Sequence, residues 1–331
     1  MAPFFSIAVT TYKRPDFLKA CLNSILSQGF QDYEVLIGND ACSENLSAGQ
    51  LGIDDARFHF VNHRFNLGEA GNVNALLAQS RGRYFTWIMD DDLYSINFLE
   101  KAHRALMEFD FPKAVLSSFT QTPERLDAGG LNSSARHADV YSGKNIFHHW
   151  LTGKFSIQTA YGLYDTDFLK SLGGFEILCD ASHALYSDFL LFVKLALVDR
   201  VAYLEEPLIL NRVHEHSWSD SNRDLPIHHV AGHHLVQKSG KILLGSEFLK
   251  DREFLFSKMV RLTSIAIVEK SKQCFGFVPA RETLRYAWNL RGDFIEVYRD
   301  RLIPKGLWSW FREMLWLSAA PAKEKLKRFL H

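Results

Sequence analysis

The sequence predicts an α/β protein, a mostly parallel sheet flanked by helices, with a helical C-terminal extension. Three observations carry that prediction. Short apolar runs alternate with segments of helical spacing through most of the chain. Polar residues stand where several of those runs end. From about Ile227 onward the strand signals fade and helical periodicity takes over.

The elements follow in order. Ser6 to Thr10 is an apolar run, and Pro15 opens a helix in which Leu18, Leu22, Ile25 and Leu26 recur at helical spacing. Tyr33 to Gly38 and Phe58 to Val61 read as strands, Ala70 to Ala78 as a helix and Tyr84 to Met89 as a strand. Ser95 to Phe109 reads as a helix, Ala114 to Phe119 as a strand, and Thr120 to Asp139 as a loop rich in turn formers. A strand is expected at Leu208 to Leu210, and helices at Phe248 to Ile267 and Arg281 to Leu290. Residues 1–226 thus form one expected domain and residues 227–331 a helical region. Open parallel sheets bind ligands outside the carboxyl ends of their strands, and Thr10, Asp40 and Asp90 each fall at such an end.

Composition narrows the function classes. Lysine plus arginine and aspartate plus glutamate each number 38 in 331 residues, so the formal charge is zero and no polybasic footprint for nucleic acid exists. The four cysteines, Cys21, Cys42, Cys179 and Cys274, have no Cys-x-x-Cys spacing, which fits reduced thiols in the cytoplasm. The apolar start Phe4 to Val9 is followed by Lys13 and Arg14 instead of preceded by them, and is expected to be a buried strand, not a signal peptide. Charges interrupt every longer apolar stretch, so no crossing of a membrane is expected.

The chemistry concentrates in Asp90-Asp91-Asp92. Three successive carboxylates repel one another unless a cation neutralises them, which Mg²⁺ or Mn²⁺ does well. The alternative is an acidic helix N-terminus favoured by the helix dipole.

The context resembles the family 2 glycosyltransferases of the glycosyltransferase A-type fold. The resemblance covers about the first two thirds of the chain. It rests on Ser6-Ile7-Ala8-Val9-Thr10-Thr11-Tyr12-Lys13-Arg14-Pro15, on Gly38-Asn39-Asp40, on Asn66-Leu67-Gly68 with Asn72, and on Arg81-Gly82-Arg83-Tyr84 leading into the three acids. It implies that Thr10, Tyr12 and Asp40 line a nucleotide pocket, Asp40 accepting the imide hydrogen of uracil or thymine, and that Arg14 and Asn72 belong to the donor-binding set. Asn39 stands where the family usually has an acid. In the acidic triplet the resemblance gives Asp90 to the ribose side and Asp91 and Asp92 to the metal.

Further on, Gly173-Gly174-Phe175 and Ser187-Asp188 resemble the family's acceptor-side segment, which makes Asp188 the candidate catalytic base of an inverting transfer; the other reading is a helix cap. Asn211-Arg212-Val213-His214 resembles the late Arg-x-His motif, implying Arg212 on the diphosphate and His214 in the metal shell. The implied activity is transfer from a nucleotide-diphosphate sugar, chiefly a UDP-sugar, to a hydroxyl of a glycan or lipid-linked acceptor of surface polysaccharide. The alternatives are a metal-dependent nucleotidyltransferase, against which the absence of a Gly-x-x-x-x-Gly-Lys loop speaks, and an inactive nucleotide-binding or assembly module.

Two clusters lie outside that scheme. His229 and His233, with His228 and His234 beside them, stand one helical turn apart, a spacing open to a transition metal but commoner among ordinary histidines. Trp308, Trp310, Phe311, Leu315 and Trp316, followed by Lys323, Lys325, Lys327 and Arg328, fit either an interfacial helix at the inner face of a membrane or a helix buried against protein, including a second subunit.

Overall fold

The computed structural model describes residues 2–123, 138–179, 184–214, 222–247, 249–299 and 303–329, with side chains in the last segment described for 305–323. The chain divides into two compact units. The first comprises residues 1–177, 182–184 and 194–214, the second residues 178–181, 185–193 and 215–331. The division thus falls after His214, not after Pro226 as the fading of strand signals predicts, and the second unit also takes residues 185–193.

The first unit is built on a mixed sheet of nine strands among the described residues. Strands β1 (Phe5–Thr11), β2 (Tyr33–Asn39), β3 (Phe58–Asn62) and β4 (Tyr84–Met89) run parallel in the order β3-β2-β1-β4. Every residue of β1 and β2 is buried, which is why both read as unbroken apolar runs instead of alternating ones. Helices α1 (Pro15–Leu26), α2 (Ala48–Leu51) and α3 (Gly68–Gln79) lie in the connections. Beyond β4 come β8 (Leu163–Asp165), β6 (Ala114–Pro123), β9 (Val201–Val213) and β5 (Leu93–Tyr94), with β7 (Ala138–Tyr141) against β9. Helices α4 (Phe98–Glu108), α5 (Gly143–Leu151) and α6 (Thr166–Ser171) complete this unit, while α7 (Ser187–Leu195) lies in the second as far as Val193.

Three elements depart from the sequence expectation. Leu93 and Tyr94, expected to lead into a helix at Ser95, pair with Leu210 and Ile209 of β9, and the helix starts at Phe98. Strand β6 continues to Pro123, through the first residues of the expected loop, because it is paired with β9 as far as Val213. The rest of that loop, 124–137, lies outside the described residues. Strand β9 has 13 residues where only Leu208 to Leu210 carried a signal.

The edge of the sheet where β1, β2 and β4 begin is tied by Glu34. Its carboxylate accepts from Ser6 Oγ at 2.6 Å, from the Arg81 amide at 2.8 Å and from the Arg81 guanidinium. Burial pushes Glu34 up, but the bonds from Ser6 and Arg81 outweigh it and hold the acid below its usual range. Gly82 follows, its amide donating to Ser6 Oγ at 2.7 Å. A Cβ on Gly82 would meet Ser6 N at 2.4 Å and Phe5 C at 2.6 Å, both backbone atoms that cannot step aside.

The second unit contains helices α8 (Leu225–Gly245), α9 (Arg252–Phe275), α10 (Ala280–Val297) and α11 (Ile303–Phe329). Among the described residues no helix is long and apolar enough to cross a membrane. The histidines expected as a cluster fall on α8 and separate into different surroundings. His233 Nδ1 is 2.6 Å from Asp293 Oδ2, His234 bonds the Leu178 carbonyl, and His228 Nδ1 lies 3.2 Å from the Tyr186 hydroxyl. The His229 ring packs 5.2 Å from the Tyr286 ring. His229 and His233 are therefore committed to α10 partners, and a metal site there has no third ligand among the described residues.

Burial pushes His228 and His229 down to about 4. Two predictions follow from these packing facts. Gly82→Ala is expected to cost about 3 kcal/mol, read as a fall in the denaturation midpoint, because the clash is with backbone. The depressed histidines fold neutral but take up protons when unfolded, so they contribute stability above about pH 6.5 that is lost as pH falls toward about 4. Each adds about 1.4 kcal/mol per pH unit inside that window, and His229→Gln should flatten the pH dependence of unfolding measured by circular dichroism.

Candidate active site

Strand register assembles the site. Thr10 of β1 stands opposite Gly38 of β2 on one side and Met89 of β4 on the other. The residues that follow are therefore carried to the same rim: the Asp40 amide donates to the Thr11 carbonyl at 3.0 Å, and the Asp90 amide to the Thr10 carbonyl at 3.1 Å. Past Thr11 and Tyr12 the chain leaves β1 through Lys13, held at φ 54°, a left-handed conformation that costs a residue with a Cβ about 1 kcal/mol. The Tyr12 ring is left exposed beside the Lys13 ammonium.

The three successive acids point to three different sets of partners. The Asp90 carboxylate is fully buried, accepts from Thr11 Oγ1 at 2.6 Å, and lies 2.7 Å from Arg14 Nη2. Burial pushes it up to about 7, with the Arg14 guanidinium pulling the other way. Asp91 keeps partial exposure, with Oδ2 2.7 Å from Arg14 Nη1 and 3.0 Å from His214 Nε2. Asp92 is fully buried and accepts from the Tyr161 hydroxyl at 2.7 Å, Asn211 Nδ2 at 3.1 Å and the Arg212 amide at 3.1 Å. Burial and the neighbouring Asp91 push it up to about 7.

Asp92, expected with Asp91 as a metal ligand, is placed here among protein donors. Its oxygens are held by Tyr161 and the end of β9, and it anchors the acidic turn. Arg14 differs from expectation too, since its guanidinium bridges Asp90 and Asp91 and is their resident counter-charge.

Arg212 does not extend toward an open diphosphate site. Its guanidinium donates to the backbone carbonyls of Asp91, Asp90 and Phe17 and lies over the Phe17 ring, 4.8 Å from its centroid. A planar fork with five donors suits that task, clamping the carbonyl side of the acidic turn to α1. His214, its ring 4.7 Å from the Phe17 ring between centroids, reaches Asp91.

Asp91 and His214 fit a divalent ion. Their 3.0 Å separation matches the edge between adjacent corners of an octahedron with bonds of about 2.1 Å. Among the described residues no three His, Cys, Asp or Glu side chains converge as a cage, so such an ion would complete its shell with waters and phosphate oxygens, as Mg²⁺ commonly does.

At the end of β2, Asp40 is buried and its Oδ1 accepts from the Leu67 amide at 2.8 Å, tying the rim to the start of α3. Asn72 is buried within the scaffold instead of facing a ligand: Nδ2 donates to the Gly38 carbonyl at 2.8 Å and Oδ1 lies 2.9 Å from His63 Nε2. A Cβ on Gly38 would fall 1.8 Å from Asn72 Oδ1, so the glycine in Gly38-Asn39-Asp40 exists to admit that side chain. Asn39, in place of the family's acid, donates to Asn62 Oδ1 and the Glu44 carbonyl and orders the loop after β2.

In the second unit, Asp188 lies in the first turn of α7, preceded by Tyr186 at φ 57°. Burial pushes its carboxyl up to about 6, against the opposing pull of the Phe189 and Asp188 backbone amides. Tyr161 and Asn211 are the members of the site that carried no role in the sequence reading. Their partner Asp92 is 69 and 119 positions away, so no local spacing announces them. Replacing Tyr161 by Phe is expected to cost about 1–3 kcal/mol in chemical denaturation with an unchanged slope, because it leaves a buried carboxylate short of a donor.

Comparison with known proteins adds the following. Residues 6–164 match the model of Glycosyl transferase family 2. A GalNAc(5)-diNAcBac-PP-undecaprenol beta-1,3-glucosyltransferase of Campylobacter jejuni is 33% identical over 93 residues, 27% of this chain and 30% of that protein. The Escherichia coli UDP-Glc:alpha-D-GlcNAc-diphosphoundecaprenol beta-1,3-glucosyltransferase WfgD is 28% identical over 95 residues, 29% of this chain and 38% of that protein. The chain thus spans about a third of the length of these curated relatives. Among solved structures, residues 1–349 of S. aureus TarS superpose with a TM-score of 0.67 at 14% identity, over 98% of this chain and 92% of that one, and the same protein has been crystallised with UDP-GlcNAc. Residues 6–164 are thus a segment similar to Glycosyl transferase family 2, and the sheet order and the likeness to TarS show the glycosyltransferase A-type fold.

Proposed function

We propose that this glycosyltransferase moves a sugar, with inversion, from a UDP-sugar to a hydroxyl of a lipid-linked glycan acceptor at the cytoplasmic face of a membrane. The observation that carries the donor half is the Asp91–His214 pair at 3.0 Å on the rim where β1, β2 and β4 end. Asp40 reads the base with its remaining carboxylate oxygen while Leu67 holds the other. Asp91 and His214 would hold Mn²⁺ or Mg²⁺, which when bound would supply charge neutralisation to the departing diphosphate. Thr11 and Arg14 keep Asp90 oriented, and Arg212 fixes the turn that presents Asp91. The lipid-linked acceptor and the UDP donor rest on the named activities of the Campylobacter and Escherichia relatives.

Asp188 is the base that takes the acceptor hydroxyl proton as the oxygen attacks the anomeric carbon. A carboxylate raised to about 6 is ionised at neutral pH yet more basic than an ordinary aspartate. The rate should therefore rise with pH through about 6 as the group loses its proton. Asp188→Asn is expected to lower kcat by on the order of 10²-fold to 10⁴-fold and to remove that rise, while stabilisation by UDP with Mn²⁺ in a thermal melt persists. Normal turnover in Asp188→Asn would remove the base assignment, and no stabilisation by any nucleoside diphosphate would remove the donor reading.

A further inference from the structure

Helices α10 and α11 carry an outward aromatic face that nothing in the catalytic reading uses. On α10, Leu284 and Trp288 are 46% and 61% exposed; on α11, Trp308, Phe311 and Leu315 are 62%, 38% and 50% exposed. Spacings of four on α10, and of three and four on α11, put each set on one stripe of its helix, beside a buried stripe at Thr283, Ala287 and Leu290 on α10 and opposite one at Glu313, Leu317 and Ala320 on α11. Trp310 ties α11 to α10, its ring 6.0 Å from Trp288 and its Nε1 donating to the Ala287 carbonyl at 2.7 Å. Trp308 and Phe311 stack at 5.9 Å. Two tryptophans exposed to this degree beside leucine and phenylalanine form a patch that water disfavours.

Arg281, Arg285, Arg291 and Arg312 are exposed. Among the described residues the acids of these helices are paired: Asp293 with His233, Glu296 with Lys241 and Glu313 with Arg261, all off the two helices, and Glu282 with Arg285 of the same helix. Arg291 lies over the face of Trp288, pairing cation and ring within the patch itself. Exposed tryptophan interleaved with arginine, with each acid described on these helices already paired, matches the headgroup layer of an anionic bilayer, where indoles sit at the boundary and cations meet lipid phosphate. A second copy of the chain fits worse, because a two-fold interface would set this face against itself, Arg281, Arg291 and Arg312 toward their own copies, with Glu282 already paired to Arg285.

We propose that the α10–α11 face is a docking surface for an anionic phospholipid membrane, to which the protein binds peripherally. It stands apart from the donor chemistry, and its test needs no substrate. The full chain is sedimented with vesicles of phosphatidylcholine alone and of phosphatidylcholine mixed with phosphatidylglycerol, and tryptophan emission is recorded. Binding to the mixed vesicles, with a blue shift, is expected, and weak binding to the neutral ones. Arg291→Gln with Arg312→Gln should lower the partition about fivefold for each arginine removed, and Trp288→Ala with Trp308→Ala should abolish the blue shift. All four positions are exposed, so an unchanged melting temperature and unchanged stabilisation by UDP confirm that the variants fold. Equal binding to both vesicles, variants that bind like the parent, or no binding at all overturns the proposal. So does a dimer in sedimentation equilibrium that Trp288→Ala with Trp308→Ala dissociates while vesicles are ignored.

Discussion

Three adjacent carboxylates at the end of a buried strand cannot be hydrated together and cannot all face one ion, and the site is organised around that constraint. The protein sends each in a different direction. Asp90 turns to Thr11 and Arg14, Asp92 to Tyr161, Asn211 and the Arg212 amide, and Asp91 alone retains exposure beside His214. Burial without partners would cost each acid several kcal/mol, so the surrounding donors are obligatory parts of the motif. Arg14, Tyr161, Asn211 and Arg212 are then one supporting shell for a single presented carboxylate.

That shell reaches the rim only because the scaffold fixes distances by backbone contact. Asn72 fills the space left by the missing side chain of Gly38, and Ser6 with Glu34 closes on Gly82 at the opposite edge. Both glycines stand in segments that resemble family motifs, yet neither touches the acids. Their role is to hold β2, β1 and β4 at the register that sets Asp40 and Asp90 on either side of Thr11.

Much of this was legible in the residues. The alternation of apolar runs and helical spacing located β1, β2 and β4, because strands buried on both faces show themselves without reference to anything distant, and it located the half-exposed β3 as well. The triplet and the Arg-x-His segment were visible as motifs, and the structure brings them together through Asp91 and His214. What the sequence withheld was direction. Whether the second or the third acid faces outward depends on Tyr161 and Asn211, and whether Asn72 faces a ligand or Gly38 depends on a strand 34 positions earlier. The short strand β8, inserted antiparallel between β4 and β6, and the pairing of β5 with β9 likewise owe their existence to remote partners more than to local propensity.

Strand β9 has a role that goes beyond pairing. Its irregularities against β6 all lie between Ser117 and Phe119, and from Phe119 opposite Ile209 to Pro123 opposite Val213 the ladder advances one residue for one. Successive side chains on a strand face opposite ways, so adding or deleting one residue in this stretch would exchange Arg212 and His214 with their neighbours across the sheet. The end of β9 therefore works as a gauge of fixed length: substitution can drift along it during divergence, but gain or loss of residues has to be absorbed upstream, at the bulge.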